Sequence, residues 1–249
     1  MKRHSLTAIL TRITLGFLLI FTTPALLIGA GFSDLLNQAR EVMNSDGALS
    51  SAEIIQGLKE ALRVGTEKAV GIVSATDGFY HNPDIKIPLP GEIEKADKYL
   101  RMAGYGETVD AFELSMNRAA ERAAPEAKSI FEQALRDMTF EDAEKILNGR
   151  DNEATLYFKK KTYDRLQDSF KPLISASLQN VGATRHFMDL NSQLKTIPFA
   201  DKASLDLDQY VTEKSLNGLF FMLAEEEKKI RSDPAARTSD LLRKVFARP

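Results

Sequence analysis

Residues Ser50–Ser74 read SSAEIIQGLKEALRVGTEKAVGIVS, and this stretch decides the fold class. Ser50 followed three residues later by Glu53 is the capping-box pattern of a helix start. Behind it Ile54, Ile55, Leu58, Ala61, Leu62, Ala69 and Val73 recur at spacings of three and four, which lays one broad apolar face along a helix. Gly57, Gly65 and Gly71 lie within that helix, each costing up to ~1 kcal/mol relative to Ala in a helix interior. Glycines tolerated there imply close approach of another backbone, so this helix is expected at the centre of the molecule.

The same spacing continues on both sides. Leu35, Leu36, Ala39, Val42 and Met43 suggest a short opening helix. After a break, Ile93, Ala96, Tyr99 and Leu100 form a face that stops near Gly104, and Val109, Phe112, Met116, Ala119 and Ala120 form the next. Pro125 is placed to open a helix through Ile130, Phe131, Ala134, Leu135 and Met138. Thr139 can cap a short helix that Gly149 ends. A long helical region runs from about Asn152 to Asn180, where Pro172 is expected to kink or divide it. Phe187, Leu190 and Leu194 mark another helix, Asp206 or Asp208 can start one over Tyr210–Ile230, and a last one follows Asp233-Pro234. With no internal repeat and no long linker, the expectation is one all-α, bundle-like domain of about eight or nine helices over residues 31–249.

Residues 1–30 read differently. Lys2, Arg3 and Arg12 precede and flank the apolar run Ile13–Ala30, and no acid occurs before Asp34. This is the pattern of a secretory signal peptide, with cleavage favoured after Ala30; an uncleaved inner-membrane anchor over residues 13–30 is the alternative. Cleavage would leave a chain of net charge −5, since the removed segment holds three cations and no acid. A periplasmic location is therefore expected, with membrane contact only through residues 1–30 if they remain.

Composition removes several chemistries. The 249 residues include no Cys, which excludes disulfides, thiolate nucleophiles and zinc–thiolate sites. Of three His, His4 sits at the extreme N-terminus, which leaves His81 and His186 and makes a His-dependent triad a poor reading. Thirty-three cations against 35 acids give no basic surplus, so nucleic acid is not expected as a partner. No phosphate loop, dinucleotide fingerprint, serine elbow or HExxH occurs, and no cofactor, metal or catalytic residue is assigned.

Four groups of residues invite a functional reading. Val42–Glu53, VMNSDGALSSAE, resembles a calcium loop, with Asn44, Asp46, Gly47, Ser50 and Glu53 in register but Val42 where the first carboxylate belongs; a turn and a helix cap explain it better. Thr76–Gly91, TDGFYHNPDIKIPLPG, is the longest stretch without helical pattern and gathers Asp77, Tyr80, His81, Asn82 and Asp84. Loops held on rigid scaffolds often carry binding residues, yet Asp77, Gly78, Asn82 and Pro83 are also the residues a turn needs. Glu113, Asn117 and Arg118, with Glu121 beyond, fall at helical spacing: either a polar network lining a pocket or, preferred, an exposed flank laced with i,i+4 contacts. Glu225–Lys229 (EEEKK) and the pair Asp206 and Asp208 read as helix-end charge and capping.

Together AEIIQGLKEALRVGTEKAV (52–70), TDGFYHNPDIKIPLP (76–90), FELSMNRAAERAAPEAK (112–128), MTFEDAEKILNG (138–149) and LDLDQYVTEKSLNGLFFMLAEEEKKIRSDPAARTSDLLRKVF (205–246) resemble the DUF4197 family of exported, mostly helical bacterial proteins. The resemblance spans roughly Leu49–Phe246 and implies an export signal and one helical domain. It assigns no catalytic residue. A non-catalytic binding or interaction module for an amphiphilic small molecule or an envelope protein is the reading carried forward. A structural envelope protein without a ligand and a carboxylate or metal-dependent enzyme are the alternatives.

Overall fold

Ser50 starts the first helix as its sequence requires. Its hydroxyl accepts the Glu53 N–H while its own N–H donates to the Glu53 carboxylate, 2.8 Å away, so two otherwise orphaned donors are satisfied reciprocally. In the computed structural model, which describes residues 50–180, 182–194 and 205–232, this helix is α1, Ser51–Ser74. It is followed by α2 (Gly91–Met102), α3 (Gly106–Ala123), a 3-10 turn (Ala124–Glu126), α4 (Ala127–Arg136), α5 (Phe140–Leu147), α6 (Glu153–Asn180), α7 (Ala183–Leu194) and α8 (Leu207–Ser232). The described residues contain no strand, and the fold is all-α. The opening helix at 35–43, the calcium-like residues before Ser50 and the helix after Pro234 lie outside the described residues.

The buried stripe of α1 (Leu58, Ala61, Leu62, Ala69, Val70 and Val73) lies against α8 and α4, with α3 and α5 also in contact. Helices α6 and α8 form the most extensive pair, and α3 packs on both. Where they meet, Phe131 of α4 sits edge-on to Phe158 of α6 and Phe220 of α8, with ring centroids 5.2 and 6.1 Å apart. Phe112, Phe131, Phe158 and Phe170 are essentially without solvent contact. Each such side chain contributes about 1.5–3 kcal/mol by burial.

Three expectations need correcting. Pro172 does not divide its helix: α6 continues from Glu153 to Asn180 through it. The proline is exposed, so the carbonyl it leaves without a donor can be hydrated rather than stranded in the core. Pro125 does not open α4 directly but sits in the 3-10 turn that carries the chain on from α3. Gly65 and Gly71 of α1 do not mark backbone contacts: a Cβ at Gly65 would meet the Ile230 side chain at 3.3 Å, and one at Gly71 would meet nothing within 4 Å. A close approach does occur at Gly218 in α8, by side chains rather than by backbone. A Cβ there would lie 2.6 Å from Cε1 of Phe79 and 3.1 Å from Cβ of Ile85, both in the loop between α1 and α2.

Candidate functional site

The loop from Ala75 to Pro90 is built from its own turns. Ala75 O accepts the Gly78 N–H, Asp77 O accepts that of His81, Phe79 O accepts that of Asn82, and Asn82 O accepts those of Ile85 and Lys86. Asn82 Oδ1 takes the Asp84 N–H at 3.1 Å, the side-chain turn for which asparagine is suited. Asp77 has φ 67°, a conformation that few non-glycine residues adopt. Gly78 beside it has no room for a side chain, since a Cβ would strike the Ile72 carbonyl oxygen.

Its apolar residues point inward. Phe79, Ile85 and Ile87 are buried, Phe79 and Ile85 over Gly218. An irregular segment with buried backbone needs polar partners, and α3 supplies them. Glu121 Oε1 accepts the N–H groups of Phe79 (3.1 Å) and Tyr80 (3.3 Å). Asn117 Oδ1 accepts the Ile87 N–H at 2.8 Å, and its Nδ2 donates to Ile87 O at 3.0 Å and to the Glu113 carbonyl at 2.8 Å. Arg118 bridges Asp77 and Glu121, at 2.6 Å to each. Lys86 pairs with Glu113 at 2.8 Å, and the Tyr210 hydroxyl of α8 donates to Pro88 O at 3.1 Å.

The loop candidates and the α3 candidates therefore form one assembly. The expected exposed flank on α3 is corrected: Asn117 is fully buried and Glu121 only 4% exposed. The Glu113–Asn117 contact runs to the main chain rather than between side chains, because Asn117's amide is turned toward the loop. These polar residues clasp the loop. Phe79 and Gly218 are the members that pattern reading left out of the site. The single glycine in an otherwise long-side-chained helix was the signal that could have found the contact.

What remains outward is small and ordered. His81 is 69% exposed, with Nδ1 3.5 Å from Asp77 Oδ2, and Asp84 faces solvent. The half-buried Tyr80 ring lies 5.2 Å from the His81 ring, and the Lys86 ammonium sits over it at 4.7 Å. Hydrogen bonding to Glu121, and then to Asp77, holds the Arg118 guanidinium above its ordinary pKa despite the opposing effect of burial. Burial, with the charge of Glu94, pushes the Tyr210 phenol up to about 12.

Other features offer less. A groove of about 670 Å³ between α1 and α4 is lined by charged residues including Lys59, Arg63, Glu132 and Arg136, and Arg63 is already paired with Glu60 and Glu67. Asp206 acts as the N-terminal cap of α8, accepting the Gln209 N–H at 3.0 Å. Among the described residues no group of three or more His, Asp or Glu is placed to hold a metal ion. Among the same residues no helix is long and apolar enough to cross a membrane.

The family model described as "Protein of unknown function (DUF4197)" matches residues 48–247. No curated protein and no solved structure matches the chain.

Proposed function

We propose that this chain, which belongs to the DUF4197 family, is an exported protein of the bacterial envelope that works by binding rather than catalysis. The outward side of the 76–90 loop would hold an amphiphilic small molecule or an envelope partner. One observation carries the reading: the inward polar groups of the loop are fixed by α3, while His81, Asp84 and the Tyr80 ring are left in a set arrangement toward solvent. A contact face ordered in advance loses little entropy on binding. The Tyr80 ring offers an apolar surface beside two chargeable groups, which suits a ligand with one apolar and one polar end. Export is supported by the cationic start and apolar run of residues 1–30.

Native mass spectrometry of the chain purified gently from the periplasm, before and after denaturation, tests this. The expected result is a chain beginning at Gly31 that carries excess mass lost on denaturation. That mass should fall away in the His81→Ala/Asp84→Ala double variant. A bare wild-type mass under all gentle conditions, or excess mass retained by the variant, removes the loop from the function.

A further inference from the structure

The groups that hold the loop read peptide main chain rather than side-chain identity. Glu121 takes two successive N–H groups, Asn117 takes both the N–H and the C=O of Ile87, and Tyr210 takes Pro88 O. An amide that satisfies both polar groups of one extended residue does what a neighbouring strand does. Within the cleft the side chains seated are Phe79 and Ile85, over Gly218, and the buried Ile87, with Phe79 making the closest approach to that glycine. The ion pairs Arg118–Asp77 and Lys86–Glu113 lie at the half-exposed rim. Because the loop makes its turns from its own hydrogen bonds, it can leave as a unit without unwinding a helix.

We propose that the cleft between α3 and α8 is a peptide-binding groove, and that residues 76–90 occupy it as a ligand carried on the same chain. The buried acceptors choose the class of any replacement. An acyl chain would fill the Phe79 seat but leave Glu121 Oε1 and Asn117 Oδ1 buried without the amide donors they accept from, which is unfavourable. An extended polypeptide with an aromatic side chain satisfies both the seat and the acceptors. This groove lies beneath the loop and does not use the outward groups of His81 and Asp84.

The test uses the full chain with Phe79→Ala, which empties the seat, and a fluorescent synthetic peptide of residues 76–90, followed by anisotropy. The variant is expected to bind this peptide about tenfold or more tightly than a peptide lacking the Phe79 ring. It should also bind about tenfold or more tightly than the wild-type chain does, because the resident loop competes at high effective concentration. A folded variant that binds neither peptide, or both alike, overturns the proposal. Hydrogen exchange on the wild-type chain provides a second reading should the variant not fold. The Phe79, Tyr80 and Ile87 amides are expected to exchange about tenfold or more faster than those of Leu219 and Phe220, through opening of the loop alone. Equal rates, with release only on global unfolding, overturn it as well.

Discussion

Glu121 on α3 and Glu227 on α8 are both buried, and each accepts two backbone N–H groups from a distant segment while an arginine on its own helix neutralises it. They differ in what they hold. Glu121 fixes an irregular loop at Phe79 and Tyr80. Glu227 takes the N–H groups of Ala154 (3.0 Å) and Thr155 (2.8 Å), in the first turn of α6, together with the Thr155 hydroxyl at 2.9 Å. There the carboxylate satisfies orphaned helix donors and faces the positive end of the helix dipole. Its partner Arg231 reaches on to Ile146 O at 2.8 Å and so ties α5 into the same junction. One carboxylate geometry therefore serves a helix in the core and a loop at its edge, and the cost of losing it should differ accordingly.

The sharpest way to break that comparison is Glu227→Ala. It removes the carboxylate partner of Arg231 and leaves two helix N–H groups in the core without their acceptor, and a loss of about 3–5 kcal/mol in urea-unfolding stability is expected. Glu121→Ala leaves the Phe79 and Tyr80 N–H groups without their acceptor and should cost about 1–3 kcal/mol. Its effect should appear first as faster exchange of the loop amides, with α6 amides little changed. If both variants lost stability equally and in the same global step, the distinction between loop and helix would fail.

Gly218→Ala sharpens the same contrast from the opposite wall. A methyl 2.6 Å from the Phe79 ring must displace it. Overpacking of about 1–3 kcal/mol is offset by up to ~1 kcal/mol of improved helix propensity. The expected outcome is a small net destabilisation with loop amides exposed, read by the same exchange experiment.

The smallest effect is expected in alkali. The Tyr210 phenol ionises near 10 in the unfolded chain but is pushed up to about 12 in the fold, by burial and then by Glu94. Between these values the unfolded chain has released a proton that the folded chain retains, so stability should fall as pH rises from about 10 to about 12. Tyr157, also pushed up to about 12, contributes in the same direction. Tyr210→Phe should make the decline in urea midpoint shallower over that window. An unchanged slope would show that burial and Glu94 do not hold the phenol protonated in the fold.

The helices were legible because their signals are local. The capping box of Ser50 with Glu53 and the Thr139 cap form as expected, and the periodic apolar positions of α3 and α4, with those of α1 from Leu58 onward, are buried. The candidate loop and the α3 polar residues were each visible, but their relation was not, since Asp77 and Arg118 are 41 residues apart and meet only through packing. The run Glu225–Lys229 was legible only as charge near a helix end; the burial of Glu226 and Glu227 was not. No window of sequence around Glu227 contains the α6 amides that stabilise it there.

The sequence by itself determined that this chain is helical, where most helices begin and end, and that thiol chemistry is closed to it, because caps, periodicity and composition act over a few residues or none. Tertiary structure alone decided which glycine admits a close neighbour, which glutamates are buried, and that the irregular loop between α1 and α2 is clasped by α3 and α8. Those outcomes depend on which donors packing brings to each acceptor across distances in sequence that no local pattern encodes.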